Sequence, residues 1–302
     1  MRRLGVALSL LAALLLTGCS GHKTKPSHDS GSRHERTQPA TERPGADGIR
    51  DDLSKPQSSR YHLGKDSVPP PIDVSKLVEP VPKVEPRSLY GNKSPYTVRG
   101  HTYRVLPSAR GYRERGIASF YGTKFHGYKT SSLETYDMYA FSAASTTLPL
   151  PSYARVTNLE SGKSVIVRVN DRGPFHDNRL IDLSYAAAVK IGIWPKGTGL
   201  VEVRGIDPGR PSSELPPPTA VRSGRPSIYL QVGAFSDADN AERLVQRLRE
   251  ANLGAVQTSE AVVNGRRLIR VRVGPLATVE RADQVTARIE AMGLSSPQVA
   301  VD

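Results

Sequence analysis

Two proline tripeptides, Pro69-Pro70-Pro71 and Pro216-Pro217-Pro218, limit where this chain can fold. Proline fixes φ and lacks the amide proton that helix and sheet interiors require. Around the first, from Ser20 to about Arg99, the sequence is polar and charged and shows no apolar periodicity. Residues 19–99 are therefore expected to form a disordered tether. Around the second, residues 207–225 are expected to form a proline-rich linker. Two segments remain, 100–206 and 226–302. A chain of 302 residues allows two ordinary domains, each able to bury its own core.

The N-terminus restricts the compartment. Met1-Arg2-Arg3 precedes an apolar run from Val6 to Leu16, too short to span a bilayer stably and shaped like a secretory signal. It closes on Leu16-Thr17-Gly18-Cys19, the small-residue approach that a lipoprotein signal peptidase needs. Residues 1–18 are thus expected to be removed and Cys19 to carry lipid. Cys19 is the single cysteine, so no internal disulfide competes for it. Ser20 stands where an aspartate would favour inner-membrane retention, which points to the periplasmic face of the outer membrane. That compartment excludes nucleotide cofactors and argues against nucleic acid as a partner. The net charge is +13, or +11 once Arg2 and Arg3 leave with the signal. In the periplasm its anionic partners are cell-wall glycans with their carboxylates, and lipid head groups. Of the seven His, His22, His28 and His34 sit in the low-complexity tail and the remaining four are scattered without ligand-like spacing, so no metal site is expected.

Periodicity organises the C-terminal segment. Ile228, Leu230 and Val232 alternate with Tyr229 and Gln231, as in a strand with one buried face. Ser236 is placed to cap a helix with Ala241, Leu244, Val245 and Leu248 inward. A strand around Val256 meets the hairpin signal Asn264-Gly265. The next strand puts Ile269, Val271 and Val273 on one face and Arg270 and Arg272 on the other, and Gly274-Pro275 is expected to end it. Thr278 can cap a second helix carrying Ala282, Val285 and Ile289, and Gln298 to Val301 supplies a last strand. The order β-α-β-β-α-β is the split βαβ of ferredoxin-like folds, with helices on one sheet face. Tyr229, Gln231, Arg270 and Arg272 should share the open face. Gln231-Val232-Gly233-Ala234-Phe235 and Arg270-Val271-Arg272-Val273-Gly274-Pro275 resemble the SPOR domain. The resemblance implies that the open face binds peptidoglycan glycan strands stripped of stem peptides, which collect at the division septum.

The segment 100–206 holds the candidate chemistry. It opens with a strand, Gly116 to Gly122, and a loop from Phe125-His126-Gly127 to the acidic stretch Glu134-Thr135-Tyr136-Asp137. Two β-branched stretches, Ala154 to Asn158 and Ser164 to Val169, form a hairpin around Ser161-Gly162. Asn170-Asp171-Arg172-Gly173-Pro174-Phe175 follows, then Asp182, a short helix capped by Ser184, and a closing strand before Gly205. Carboxylates near the ends of barrel strands can hold different pKa values and divide acid and base roles, as glycosidic cleavage requires. Spacing alone equally allows Asp171 to be a turn residue.

Ser119-Phe120-Tyr121-Gly122, Phe125-His126-Gly127, Thr147 to Tyr153, Arg168 to Phe175 and Ile181-Asp182-Leu183-Ser184 resemble, in order, the rare lipoprotein A (RlpA) family. The resemblance implies a double-psi β-barrel followed by a small α+β SPOR domain. It also implies endolytic, non-hydrolytic cleavage of denuded glycan strands. In that reaction the sugar C6 hydroxyl attacks C1 and leaves a 1,6-anhydro end, with no metal or cofactor. Carried over by position, Asp171 is the catalytic acid and base, Glu134 and Asp137 support it, and Asp182 is its rival. Two positions depart from the pattern. Ser145 follows Ala143-Ala144 where a histidine is usual, and Leu133 replaces the glycine before Glu134. Serine cannot act as the base that histidine can, and leucine does not readily adopt a glycine's positive φ, which would aim Glu134 differently. A catalytically silent glycan binder linking membrane and wall, or an expansin-like loosening protein, are the competing readings.

Overall fold

A computed structural model describes residues 51–55, 57–61, 67, 69–209 and 226–302. The signal peptide, Cys19 and most of the 207–225 linker lie outside the described residues. Six strands close into a barrel: β3 (Arg113–Tyr121), β4 (Ser142–Ala144), β5 (Ser152–Asn158), β6 (Ser164–Asp171), β7 (Ile181–Ser184) and β8 (Gly199–Ile206). Around the ring they run β3-β7-β4-β6-β5-β8. The neighbours β3/β7 and β4/β6 are parallel and the remaining pairs antiparallel, the arrangement of a double-psi barrel. β-Branched residues fill it: Val156, Val165, Val167, Val169, Val201 and Val203 pack in one core. Ser184 caps the helix α2 (Tyr185–Lys190) by accepting from Ala187 N, as its place before an alanine run suggested. The short turn α1 (Gln57–Arg60) and the hairpin β1 (Tyr96–Val98) and β2 (His101–Tyr103) precede the barrel.

The segment expected to be a tether up to Arg99 differs. Residues 79, 82, 85 and 88 are half-buried, whereas Val78, Val81, Val84 and Arg87 are exposed. A period of three belongs to a polyproline II helix, which has no internal hydrogen bonds and leaves its polar groups to be met from outside. The barrel meets them. Glu79 accepts from Ile166 N (2.9 Å), Glu85 from Arg168 (3.0 Å, twice), and Ser88 N donates to Leu150 O (2.9 Å). The Asn92 amide then pairs with both the N–H and the C=O of Leu150. Proline thus produces a strap here, with a period that neither strand nor helix patterns reveal.

The C-terminal segment has the expected order: β9 (Ile228–Phe235), α3 (Ala238–Glu250), β10 (Val256–Val263), β11 (Arg266–Leu276), α4 (Val279–Ala291) and β12 (Gln298–Val301). Its antiparallel sheet runs β10-β11-β9-β12. Two details differ. Asp237, not Ser236, caps α3, accepting from Asn240 N at 2.9 Å. β11 also continues through Gly274-Pro275 to Leu276, because Gly274 takes φ +145 and the register shifts there instead of the strand ending. The two folded parts touch. Ile117, Leu159 and Leu200 of the barrel share an apolar cluster with Ile228 and Val279. Arg179 forms a two-pronged ion pair with Asp283 (2.9 and 2.7 Å), and Asn178 donates to Thr286 (2.8 Å).

Candidate active site

The site follows from one irregularity in strand pairing. Ala143 stands opposite Val169, but Ala144 stands opposite Asp171, so Asn170 occupies a bulge in β6. Bulges re-aim side chains. Here the bulge brings Asp171 into register where Asn170 would otherwise be. On its other side Ala144 pairs with Asp182 of β7. Asp171 and Asp182 therefore flank Ala144 on one sheet face, two strand spacings or about 9–10 Å apart at Cα. The methyl group of Ala144 leaves the space between them open.

Asp171 holds its carboxylate by Oδ1 alone. Ser131 N (2.8 Å), Ser131 Oγ (2.7 Å) and Arg172 N (2.8 Å) all donate to that oxygen. Burial raises the Asp171 pKa, and these donors only partly oppose it. Asp182 accepts a short hydrogen bond from Ser119 Oγ. Its pKa is raised by burial and further by the charge of Asp171, against the pull of Ser119 and Arg179. The Arg172 guanidinium does not pair with Asp171. It donates instead to Gly91 O, Ser145 O, Leu148 O and Asn92 Oδ1, stapling the strap to the loop after β4. Gly173 has φ +142, and a Cβ there would stand 3.7 Å from both Ala144 Cβ and Asp182 Oδ2. In Asp-Arg-Gly-Pro the aspartate thus lines the cleft, the arginine braces it, and the glycine lets the chain leave past both carboxyls.

The two carboxyls line a cleft of about 540 Å³. Tyr61, Tyr121, Phe125 and Phe175 supply its aromatic walls, Arg99, Lys124 and Arg172 its positive groups, and His176 also lines it. Tyr61 meets Phe125 edge-on, with ring centroids 4.9 Å apart. Such walls suit the apolar face of a sugar ring. Sequence reading missed Tyr61, Arg99, Ser119 and Ser131. Ser119 lay inside a recognised motif, but its partner Asp182 is 63 residues away and only the β3/β7 pairing joins them.

Glu134 and Asp137 are not among the residues lining this cleft. Glu134 accepts from Arg168 through a short ion pair and from Asn170 Nδ2 at 2.9 Å. Burial would raise its pKa, but Arg168 and Asn170 outweigh that and lower it. Asp137 Oδ1 accepts from Tyr139 N (2.9 Å) and lies 3.9 Å from His126 Nδ1. Leu133 does take φ +66, with Leu133 N bonded to Thr130 O and Thr130 N to Glu134 O. The loop keeps a glycine-like turn, contrary to the expectation that leucine could not. Ser145 Oγ accepts from Thr147 N and Leu148 N, closing a buried turn outside the cleft lining.

On the C-terminal sheet, Gln231 stands between Arg272 and Gln298, Tyr229 opposite Ala300, and Arg270 opposite Ala234 and Ser259. All four predicted contact residues are half-buried, and they alternate with the buried Ile228, Leu230, Val271 and Val273. Arg272 reaches Asp302 (3.3 Å) and keeps a buried Nε without a partner.

Comparison with known proteins agrees with both halves. The family model described as lytic transglycolase matches residues 113–204, and the SPOR domain model matches residues 224–299. The chain is 43% identical over 210 residues to the endolytic peptidoglycan transglycosylase RlpA of Vibrio cholerae, covering 69% of this chain and 78% of that one. It is 42% identical over 245 residues to the protein of the same name from Pseudomonas aeruginosa, covering 64% and 71%. The crystal structure of the RlpA SPOR domain from Pseudomonas aeruginosa is 34% identical, with 24% of this chain and 96% of that one covered and a TM-score of 0.24.

Proposed function

The chain belongs to the RlpA family of endolytic peptidoglycan transglycosylases, and from that premise we propose that its barrel cuts glycan strands lacking stem peptides with Asp171 and Asp182. The observation that carries this reading is the meeting of two half-buried aspartates across Ala144, each with a raised pKa. The charge of Asp171 adds to burial in raising the Asp182 pKa, which favours a proton on Asp182. Three donors on Asp171 against one on Asp182 make Asp171 the better anion. Asp182 then carries the proton, whereas the sequence alone favoured Asp171 as donor.

In the reaction Asp182 gives its proton to the glycosidic oxygen as the C1–O bond breaks. The Asp171 carboxylate faces the developing oxocarbenium ion and takes the proton of the C6 hydroxyl as that oxygen bonds to C1. The products are a free hydroxyl on one strand and a 1,6-anhydro ring on the other, so no water is consumed. The proton has moved from one carboxyl to the other and returns through solvent. Glu134, held by Arg168, and Asp137, on its turn, shape the loop whose Ser131 holds Asp171.

Peptidoglycan binding by the SPOR domain would deliver the substrate, with Tyr229, Gln231, Arg270 and Arg272 as contacts and the septum as the place. Lipid on Cys19 would anchor the chain at the periplasmic face of the outer membrane. Purified protein acting on denuded strands, with products read by mass spectrometry, tests the proposal. Anhydro ends from wild type and their loss in Asp171→Asn and Asp182→Asn are expected. An Asp171→Asn protein that cuts at the parent rate overturns the assignment. Ser145, in place of the usual histidine, favours a second reading as a glycan binder without lytic activity, for which wild type would leave the strands intact.

A further inference from the structure

The cleft sets an electrostatic problem that one residue is placed to solve. Each muramic acid of peptidoglycan carries a lactyl ether whose carboxyl is normally amide-linked to a stem peptide. Removing the peptide frees one carboxylate per disaccharide. Such a strand is a polyanion, and the cleft it must enter is lined by Asp171 and Asp182. Without a cation at the entrance, the substrate selected for its bare lactyl groups would be repelled by the carboxyls that cut it.

Three cationic side chains and His176 line the cleft, and they are differently engaged. The Arg172 guanidinium is buried and committed to three backbone carbonyls and Asn92 Oδ1. Lys124 lies over the rings of Tyr61 and Phe125, 5.7 and 5.9 Å from their centroids. His176 is exposed, with Nδ1 2.8 Å from Asp177 O. Arg99 is exposed and uses one N–H, from Nη1 to Phe175 O at 3.2 Å. That bond ties the guanidinium to the segment leaving Asp171-Arg172. It leaves Nε and Nη2, the pair that grips a carboxylate with two parallel hydrogen bonds.

The backbone at Arg99 agrees. Val98 pairs with His101, so Arg99-Gly100 is the two-residue loop of the β1–β2 hairpin, with φ of +50 and +81. Positive φ at both positions is the type I′ turn, which favours Asn-Gly. An arginine there is strained, and a strained residue lining a cleft invites a functional reading. We propose that Arg99 binds the lactyl carboxylate exposed by stem-peptide removal, so that the cleft itself, and not only the SPOR sheet, selects denuded strands. This rests on the lytic reading given above.

Arg99→Asn tests it without the ambiguity of misfolding, since asparagine suits the turn and the melting temperature should hold or rise. The mature full-length protein is given denuded strands with free lactyl carboxylates, and the same strands with those carboxyls converted to methylamides. Wild type should prefer the free strands about tenfold in kcat/KM, the value of one charge-assisted contact. Arg99→Asn should lose that preference by slowing on the free strands, while staying within about twofold of wild type on the amidated ones. A variant that keeps the wild-type preference overturns the inference. If wild type releases no anhydro ends from either strand, the lytic reading has failed, and binding decides the role of Arg99. Amide NMR titration with a denuded tetrasaccharide then reports the cleft through Gly173 and Phe175, separately from the SPOR sheet. Affinity about tenfold weaker at those amides in Arg99→Asn supports the contact, and equal affinity overturns it.

Discussion

Strand β6 supports two acid clusters whose chemistry is opposite. At Arg168, Glu85 and Glu134 share one guanidinium, and both pKa values are lowered. Three residues on, Asp171 lies across Ala144 from Asp182, no guanidinium among the described residues is hydrogen-bonded to either, and both pKa values are raised. The acids at Arg168 are held as anions, Glu85 tying the strap and Glu134 the 130–134 loop to the barrel. The acids at Ala144 are left able to take up and release a proton. An arginine in hydrogen-bond range, more than the presence of an acid, separates a brace from a candidate catalyst.

The largest expected effect tests the second cluster. Asp171→Asn or Asp182→Asn should cut the release of anhydro ends by about 10²–10⁴-fold, the usual worth of general acid–base catalysis. The comparison breaks if Glu134→Gln, which leaves both aspartates in place, loses as much.

How much of this was legible in the sequence depends on the distance each signal spans. The C-terminal fold could be read because its periods are local: Thr278 caps α4 and Asn264-Gly265 turns β10 into β11, as expected. Asp171 was visible in its motif. Its partnership with Asp182 was not, because it arises from a bulge at Asn170 and the pairing of β4 with strands on both sides. The strap was misread as a tether because its period of three falls between the periods of strand and helix. In the fold the period shows as the half-buried Glu79, Pro82, Glu85 and Ser88, residues that form no apolar pattern in the sequence.

The next effect tests the first cluster. Arg168→Met leaves Glu85 and Glu134 half-buried without their cation, held by the Tyr153 hydroxyl and the Asn170 amide, and should cost about 1 kcal/mol in chemical denaturation. The sign with pH follows from their lowered folded-state values. Wild type has this stabilisation in full above about pH 4.3 and loses it as pH falls through those values. Arg168→Met should flatten that acid-side loss. An unchanged acid limb would mean that the cluster contributes nothing.

At the second cluster the sign reverses. Asp182 has a raised folded-state pKa, so the native state holds the proton more tightly than the unfolded chain. Stability therefore falls as pH rises from about 3.9 through the folded value. Asp182→Asn replaces a carboxyl whose ionisation burial and Asp171 both oppose by a group that never ionises, and so removes the cost of holding its proton in the folded state. It should melt at a higher temperature than wild type at pH 7, with the gain vanishing in acid. A variant at once inactive and more stable is what a proton-ready pair predicts, and a less stable one at pH 7 would make Asp182 another brace.

The smallest effect concerns the loop that joins the clusters, since residues 130–134 bring Ser131 to Asp171 and Glu134 to Arg168. Leu133 sits between these contacts at φ +66, a conformation that costs a side-chain residue about 1–2 kcal/mol. Leu133→Gly removes that cost. It also adds roughly 0.5–1 kcal/mol of backbone entropy to lose on folding and gives up the packing of a half-buried side chain. The net change should be within about 0.5 kcal/mol of zero, with anhydro-end release within about twofold of wild type. The sum is informative because it is small: the hydrogen bonds of Thr130 to Leu133 and Glu134 dictate the turn, and the residue at 133 conforms to them. A glycine variant that changed the rate strongly would show instead that Leu133 re-aims Glu134, and that the two clusters are one site.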